Sequence, residues 1–214
     1  MPGRFITLEG GEGTGKTTQI KMLVEYLEKK GIEVVMTKEP GGTEIGQELR
    51  HMLCSGDKDK FDAIAEALLF YADRRIHLQK KILPALAEGK WVISDRFADS
   101  TMAYQYYGYN KRVSKEVLEQ LYKMVVGDFY PDLTLILDID PKIGLARSFD
   151  RNSHEKVQEI RNESRELEFH NNLRAGFLEI AKTASRYKVL DANKTIEELH
   201  QNIIQTVEER LLKH

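Results

Sequence analysis

The feature that most constrains this sequence is a glycine-rich run at residues 10–18, close to the N-terminus. The run fits the phosphate-binding loop pattern, with Gly10 at its start and Gly15-Lys16-Thr17 at its end. Glycines allow successive backbone N–H groups to turn toward phosphate oxygens, because no Cβ stands in the way. Lys16 would place its charge on the β- and γ-phosphates, and the Thr17 hydroxyl would ligate Mg²⁺. We therefore predict that a nucleoside triphosphate binds to Gly10, Gly11, Glu12, Gly13, Thr14, Gly15, Lys16, Thr17 and Thr18.

The residues on either side of this run favour the same interpretation. Residues 5–8 are mostly apolar, as in a short buried strand, and Ile20, Leu23, Val24 and Leu27 recur at helical spacing. The run would thus join a strand to a helix N-terminus, which favours bound anions. A glycine-rich turn without a ligand is the alternative, and the strand–loop–helix context argues against it.

Composition and charge limit the kinds of partner that we expect. The sequence has 214 residues, 41% hydrophobic and 31% charged, which is ordinary for one soluble domain over residues 1–214. A net charge of −2 gives no electrostatic footprint for a nucleic acid or a membrane surface. No apolar run approaches the roughly 20 residues of a membrane span, and the N-terminus leaves no room for a signal peptide. The single cysteine, Cys54, fits a reducing compartment, so we expect a cytoplasmic protein.

Apolar stretches alternate with segments of helical periodicity along the chain. This alternation predicts the α/β fold of a P-loop NTPase, a doubly wound, five-stranded parallel sheet with helices on both faces. The predicted strands are residues 5–8, 34–36, 91–94, 133–137 and 189–190. A long helix is predicted over residues 64–86, with a kink or division near Pro84. Its apolar stripe consists of Ile64, Leu68, Leu69 and Ala72. The pair Asp140-Pro141 predicts a helix start capped by Asp140.

Among P-loop NTPases, the sequence favours a small-molecule kinase. A GTPase needs an Asn-Lys-x-Asp motif, whereas the only Asn-Lys pair late in the chain, Asn193-Lys194, is followed by Thr-Ile. A large mechanical ATPase would need more chain than 214 residues. A chain of this size suits an enzyme that binds a donor and an acceptor across one cleft.

Charged residues follow two of the predicted strands, at the edge of the sheet where ligands bind. Asp95 would hold Mg²⁺ directly or through water, together with Thr17. Arg96 would clamp an acceptor phosphate with its planar guanidinium group, although a surface ion pair at a strand end is the alternative. Asp138 imitates a metal-binding acid, but we expect it to have a structural role.

Five motifs occur in order along the chain: Leu-Glu-Gly-Gly-Glu-Gly at 8–13, Glu-Pro-Gly-Gly-Thr at 39–43, Leu-Phe-Tyr-Ala-Asp-Arg-Arg-Ile-His at 69–77, Asp-Arg-Phe at 95–97 with residues 100–105, and Phe-His at 169–170 with Arg174 and Gly-Phe at 176–177. In these motifs the sequence resembles thymidylate kinases of the bacterial type with a basic lid. The resemblance spans nearly the whole chain. It implies one nucleoside-monophosphate-kinase-like domain that transfers the γ-phosphate of ATP to dTMP, giving dTDP and ADP for dTTP synthesis. It also implies a homodimer, for which apolar helix faces between residues 64 and 126 are candidate interfaces.

Although Glu12 lies in the loop for the donor, the resemblance implies that it contacts the 3′-hydroxyl of the acceptor's deoxyribose, and a solvated loop residue is the alternative. One branch of the family carries an arginine in the loop, and this sequence has Gly13 and Thr14 there instead. We therefore interpret the charged stretch at about 147–162 as a lid that delivers Arg151, or else Lys156 or Arg161, to the phosphoryl group. A solvated, charge-laced helix is the alternative. At the lid base, Arg147 is the implied stacking partner of adenine.

For the acceptor side, Phe70 and Arg74 lie four residues apart and would share one helix face. Phe70 would stack on thymine and Arg74 would donate to a carbonyl edge, although Phe70 as a core residue is a close alternative. The resemblance assigns Thr101 and Gln105 to the base and gives Tyr104 the role of crowding the sugar 2′ position. The full expected dTMP site is Glu12, Glu39, Pro40, Arg50, Phe70, Arg74, Arg96, Thr101, Tyr104 and Gln105.

These predictions together describe an ATP-dependent dTMP kinase with Mg²⁺ as cofactor. The expected catalytic residues are Lys16, Asp95, Arg96 and Arg151, and the expected metal ligands are Thr17 and Asp95. Two alternatives stay open. One is a kinase of the same architecture that acts on another nucleotide or on an unphosphorylated metabolite. The other is a nucleotide-sensing protein without turnover, in which the charged stretch at 147–165 docks a partner.

Overall fold

The structure, a computed structural model, describes residues 2–57, 59–152 and 165–213, except for the side chains of residues 150–152. Five parallel strands form one sheet in the order β2-β3-β1-β4-β5. The strands are β1 (Phe5–Glu9), β2 (Val34–Lys38), β3 (Trp91–Asp95), β4 (Leu133–Asp138) and β5 (Tyr187–Asp191). The predicted parallel sheet is therefore confirmed, and each strand is longer than the sequence pattern suggested. Each strand ends on a charged residue, so the carboxyl edge of the sheet is strongly polar.

The register of the sheet brings the glycine-rich loop to its centre. Leu8 pairs with Asp95 on one side and with Leu135 on the other, so β1 lies between β3 and β4. The chain crosses from one half of the sheet to the other at this point, and crevices at such points bind ligands in α/β proteins. The loop that follows β1 thus lies next to the ends of both neighbouring strands.

Helices follow the strands and cover both faces of the sheet. Their bounds are α1 (Lys16–Lys29), α2 (Glu44–Cys54), α3 (Ala63–His77), α4 (Leu83–Ala87), α5 (Ala98–Thr101), α6 (Lys115–Val125), α7 (Pro141–Asn152), α8 (Leu167–Ile180) and α9 (Ile196–Val207). Alternate strand residues serve the two faces: Ile6 and Leu8 pack with α1 and α9, whereas Phe5 packs with Phe97 on the opposite side. This period of two is what a sheet covered on both sides requires.

The predicted long helix is divided, but slightly upstream of the expected place. A π-helical turn at Leu78–Ile82 joins α3 to α4, and Pro84 lies in the first turn of α4. Proline lacks the backbone donor of a regular helix and clashes one turn back, so a wider turn just before it relieves both problems. As predicted, Asp140 caps α7, because its Oδ1 accepts from the Lys142 amide at 2.8 Å.

The apolar stripe predicted for the long helix lies largely at the surface of α3. Ile64 is 51% exposed and Leu68 is 50% exposed, so the stripe faces away from the sheet. The buried face of α3 combines polar residues, among them Glu66 and Arg74, with the apolar Ala63, Ala67 and Tyr71. Helical periodicity alone located an apolar face without showing which way it points. No helix within the described residues is both long and apolar enough to cross a membrane.

Candidate active site

The glycine-rich loop is held tightly between its neighbours. Gly13 has φ of 64° and Gly15 has φ of 86°, both in the left-handed region that favours glycine. A Cβ on Gly13 would overlap the carbonyl oxygen of Gly144 on α7, and a Cβ on Gly144 would overlap the carbonyl oxygen of Glu12. The close approach of these two glycines sets the position of the loop against α7. Gly144 was not singled out from the sequence, because its role depends on a contact between distant segments.

Lys16 lies inside the loop that it closes. Its Nζ donates to the carbonyl oxygen of Gly11 at 2.8 Å and to that of Gly10 at 3.2 Å, and the residue is 8% exposed. Burial and the nearby charge of Arg96 lower the pKa of Lys16 to about 8. A polyphosphate bound in the loop would counter both effects, since an anion favours the ammonium form.

Thr17 and Asp95 form a pair of oxygen ligands at the start of α1 and the end of β3. The Thr17 hydroxyl donates to Asp95 Oδ2 at 3.0 Å, and both residues line the cleft. One hydroxyl and one carboxylate beside a phosphate loop fit Mg²⁺, which usually keeps several waters and binds one or two protein oxygens plus substrate phosphates. The described residues contain no cluster of three or more His, Cys, Asp or Glu side chains suited to a metal.

Arg96 links the loop to the other half of the site. It has φ of 70°, its Nη1 donates to the Gly10 carbonyl at 2.8 Å, and its Nη2 lies 3.2 Å from Glu12 Oε1. The Tyr104 hydroxyl donates to the same Glu12 oxygen. Burial alone would raise the pKa of Glu12, but the charges of Arg96 and Lys16 and the Tyr104 hydrogen bond lower it to about 2. Glu12 lies in a phosphate-binding loop, where a carboxylate would repel the phosphates, but its side chain is turned toward the Arg96 guanidinium group.

A fully buried carboxyl group lies beneath Arg96. Glu9 Oε1 accepts from the Phe97 amide at 2.7 Å, and Oε2 lies 2.5 Å from the Ser100 hydroxyl. The Ser100 hydroxyl in turn accepts from Arg96 Nη1 at 3.1 Å. Burial and the nearby Asp99 raise the pKa of Glu9 to about 8. Glu9 thus holds the turn that carries Arg96, a role that an acid at the end of an apolar strand does not reveal in sequence.

At the other end of the cleft, Arg74 is held by a chain of buried groups. Its Nε donates to Glu39 Oε2 at 2.9 Å, and Glu39 Oε1 lies 2.9 Å from His77 Nδ1. His77 Nε2 lies 2.6 Å from the Thr37 hydroxyl, which ends the chain on β2. Both oxygens of Glu39 are therefore occupied by groups of the protein. Although it lines the cleft, its main observable function is to hold Arg74.

The remaining acceptor-side candidates lie around Arg74. Thr101 accepts from Arg74 Nη2 at 3.1 Å, and Gln105 follows one turn later with 1% exposure. Phe70 is half-buried and lines the cleft, and it belongs to none of the apolar core clusters of the described residues. This position weakens the core interpretation of Phe70. Arg50 Nη1 donates to the Pro40 carbonyl at 3.1 Å on the same wall.

One cleft of about 1090 Å³ brings most of the predicted residues together. Its lining includes Glu12, Gly13, Thr14, Gly15, Lys16, Thr17, Thr18, Glu39, Pro40, Arg50, Phe70, Arg74, Asp95, Arg96, Thr101, Tyr104 and Gln105. Arg147 is not among them, because its Nη1 donates to the Ala192 carbonyl at 3.1 Å after β5. The side chain of Arg151, as well as Lys156 and Arg161, lies outside the described part of the structure.

Asp138 has the structural role that we expected. Its two oxygens accept from Nε and Nη2 of Arg174 at 2.7 and 2.8 Å, so the carboxylate is taken up by a bidentate pair between β4 and α8. Arg174, quoted as part of a motif without a function, therefore joins two elements behind the loop.

Glu9 gives a testable pH dependence of stability. In the folded protein its pKa is about 8, whereas its ordinary value is 4.5, so between these values the folded state keeps a proton that the unfolded chain has released. The contribution of Glu9 to the free energy of unfolding should therefore fall as the pH rises from about 5 to about 8. Glu9→Gln should remove this slope, because the amide does not titrate in this range and its oxygen can still accept a hydrogen bond. Urea denaturation at several pH values measures the slope.

The exposed Glu28 on α1 provides the control for this measurement. Glu28→Gln should keep the slope of the unchanged protein. An equal slope in Glu9→Gln would show that Glu9 is already ionised in the folded protein.

Comparisons with known proteins agree with this geometry. The thymidylate kinase family model matches residues 8–203. A thymidylate kinase of Bradyrhizobium sp. (strain ORS 278) is 46% identical over 98% of this chain and 91% of its own length. That of Maridesulfovibrio salexigens is 47% identical over 97% of this chain and 96% of its own length.

The fold of this chain also matches that of a solved thymidylate kinase structure. The thymidylate kinase of Ehrlichia chaffeensis superposes with a TM-score of 0.77 at 36% identity, covering 97% of this chain and 99% of that one. The family match and these relatives each extend over the loop, the Asp95-Arg96 turn and the acceptor wall alike. The chain therefore belongs to the thymidylate kinase family.

Proposed function

We propose that this protein transfers the γ-phosphoryl group of ATP to dTMP, giving dTDP and ADP. The observation that carries the proposal is the single cleft with a phosphate loop at one end, Arg74 and Gln105 at the other, and Arg96 between them. A donor polyphosphate and an acceptor monophosphate would meet beside Arg96. The product dTDP is a precursor of dTTP.

On the donor side, the loop amides and Lys16 would hold the β- and γ-phosphates. Phosphoryl transfer needs little covalent chemistry from the protein, so positioning and neutralisation of charge supply the catalysis. The Lys16 side chain already lies against the loop carbonyls. To meet a phosphate, it needs only to turn toward the centre of the loop. Thr17 and Asp95 would hold Mg²⁺, which would bridge and neutralise the phosphate oxygens.

On the acceptor side, Arg96 would bind the 5′-phosphate of dTMP, with Arg50 on the opposite wall of the cleft. Phe70 would stack on the base, and Arg74, Thr101 and Gln105 would face its polar edge. Tyr104 and Glu12, which share a hydrogen bond, would lie at the sugar. Glu39 and Pro40 would shape this pocket through their contacts with Arg74 and Arg50.

The charge that completes the site would come from a lid. The loop offers Gly13 and Thr14 and no arginine, so a basic side chain from about 147–162 is needed near the transferred group. We propose Arg151 for this role, with Lys156 and Arg161 as the other candidates, and Arg147 as the neighbour of adenine. The lid would be part of one nucleoside-monophosphate-kinase-like domain over residues 1–214.

We further propose that the protein works in the cytoplasm as a homodimer. Its donor, ATP, is abundant there, and a sequence with one cysteine fits a reducing compartment. The interface would use the exposed apolar face of α3 at Ile64 and Leu68, continued by Met124 on α6. Exposed apolar residues grouped in this way are typical of protein–protein contacts.

Lys16→Ala and Arg96→Ala should each lower kcat by at least about 100-fold, because each removes a charge that stabilises the transferring phosphoryl group. ADP release measures kcat, and circular dichroism checks the fold. Lys21→Ala is the matched control, since Lys21 is an exposed lysine of α1 that lies outside the cleft lining. Near-normal turnover in either site variant would contradict the assignment of these residues.

A panel of acceptors tests the reaction itself. With ATP and Mg²⁺, we expect the fastest ADP release with dTMP, slower release with dUMP, and poor release with UMP, CMP, AMP, GMP and shikimate. Fast turnover of another acceptor would overturn the assignment of the acceptor site while leaving the donor site intact. ATP binding without turnover of any acceptor would favour a nucleotide sensor.

Two isoleucines of nearly equal exposure test the proposed dimer interface. Ile64 on α3 is 51% exposed, and Ile196 on α9, across the sheet, is 52% exposed. Ile64→Glu should produce a monomer, because a charge would be buried at the interface, whereas Ile196→Glu should remain dimeric. Sedimentation velocity distinguishes the two states. A dimeric Ile64→Glu variant would place the interface elsewhere.

A further inference from the structure

Two buried polar atoms at the acceptor end of the cleft have no hydrogen-bond partner among the described residues. They are Nη1 of Arg74 and Oε1 of Gln105, and each residue is only 1% exposed. Both residues line the cleft, and Thr101, which accepts from Arg74, lies one turn before Gln105. Unpartnered buried polar atoms are costly, so such a pair indicates that a ligand satisfies them. One atom is a donor and the other is an acceptor.

Gln105 offers an acceptor to the cleft only if its amide is oriented with the oxygen toward the cleft. Glu66 determines this orientation. Glu66 is 1% exposed, and its Oε2 accepts from Gln105 Nε2 at 2.9 Å. Because Glu66 Oε2 is the acceptor in this contact and in its contact with Tyr109, Gln105 turns its NH₂ group toward Glu66. The amide oxygen of Gln105 is then left for the cleft.

A second contact of Glu66 supports the same direction of hydrogen bonding. The Tyr109 hydroxyl donates to Glu66 Oε2 at 2.8 Å, and Arg165 Nη2 donates to the Tyr109 oxygen. A guanidinium group has only donors, so Tyr109 must accept from Arg165 and must donate its own hydroxyl proton to Glu66. The donors on both sides, Arg165 through Tyr109 on one and Gln105 on the other, therefore converge on Glu66 Oε2.

We propose that Glu66 is a positioning residue for acceptor specificity, which fixes the Gln105 amide so that the pocket accepts thymine or uracil and rejects cytosine. The inference rests on the proposed function. A 2,4-dioxopyrimidine presents a carbonyl oxygen at C4 next to an N3–H donor. Arg74 Nη1 would donate to the carbonyl, and Gln105 Oε1 would accept from N3–H.

Cytosine presents the reverse pattern, an amino donor at C4 next to an N3 acceptor. Against Arg74 and the fixed amide, the cytosine amino group would face a donor and its N3 would face an acceptor. A site built to hydrogen-bond one pattern strongly rejects the other, because its own buried groups are then left unpaired. Arg74 cannot reverse its role, so the amide of Gln105 is the group whose direction must be held.

The test compares kcat/KM for dTMP with that for dCMP. In Glu66→Gln, a neutral side chain of the same size can offer either a donor or an acceptor, so Gln105 is free to turn. The ratio of dTMP to dCMP should fall by at least about tenfold, as expected for one mispaired buried hydrogen bond, while KM for ATP stays unchanged. Tyr109→Phe, which leaves the carboxylate in place, should keep the ratio of the unchanged protein.

A double-mutant cycle distinguishes positioning from a general structural effect. In a Gln105→Ala background, Glu66→Gln should leave the ratio unaltered, because the group on which Glu66 acts is gone. If Glu66→Gln fails to fold, Glu66→Met, which also removes the carboxylate at similar volume, should lower the ratio in the same way. A folded Glu66→Gln or Glu66→Met variant with an unaltered ratio would overturn the proposal.

A measurement on the unchanged protein is independent of folding defects. Binding of dTMP and of its N3-methyl derivative, followed by calorimetry without ATP, should differ by at least about tenfold in Kd if Gln105 accepts from N3–H. Equal binding of the two would contradict the assigned direction of the amide. If the protein without substitutions prefers an acceptor other than dTMP, the proposed function is contradicted instead. Failure of the amide assignment and failure of the proposed function are therefore distinguishable.

Discussion

The Arg96 guanidinium group is the interaction on which the rest of the site depends. It reaches the Gly10 carbonyl at 2.8 Å, the Ser100 hydroxyl at 3.1 Å and Glu12 at 3.2 Å, and so ties the loop after β1 to the turn after β3. A cation in this half-buried position must be balanced, because an unpaired charge removed from water is very costly. The protein supplies the balance with acids of its own. A bound acceptor phosphate would therefore enter a site whose charges are already arranged.

The pKa values of two acids beside Arg96 are shifted in opposite directions. Burial and Asp99 raise the pKa of Glu9 to about 8, whereas Arg96 and Lys16 overcome burial and lower the pKa of Glu12 to about 2. The neutral carboxyl group supports the backbone turn, and the ionised one balances the guanidinium group. Environments that separate the pKa values of neighbouring carboxyls also separate their functions. The loop thus carries an acid without repelling a polyphosphate, since that charge is already paired.

The features that could be predicted from the sequence are those that depend on residues close together in the chain. The glycine loop, the strand ends and the appearance of Asp95 and Arg96 at the sheet edge follow from short-range patterns. Glu9 could not be given its role, because its partner Phe97 lies 88 positions away in the chain. The sequence marked apolar helix faces between residues 64 and 126 as candidate interfaces, but it did not show which side of α3 lies against the cleft. A helical period defines an apolar face, and only the polar groups across the cleft show why the other face turns inward.

The orientation of α3 connects recognition of the acceptor base with the proposed dimer interface. Its inward face holds Glu66, Arg74 and His77, each bonded to a partner from another element, beside the buried apolar residues Ala63, Ala67 and Tyr71. Most helices gain their stability by packing an apolar face on the core, and α3 does so only in part, because the face with Ile64 and Leu68 points outward. Under the proposed dimer, the partner would cover this face and hold the helix in place. The groups that recognise the base would then be positioned from both sides of α3, by hydrogen bonds within the subunit and by apolar packing between subunits.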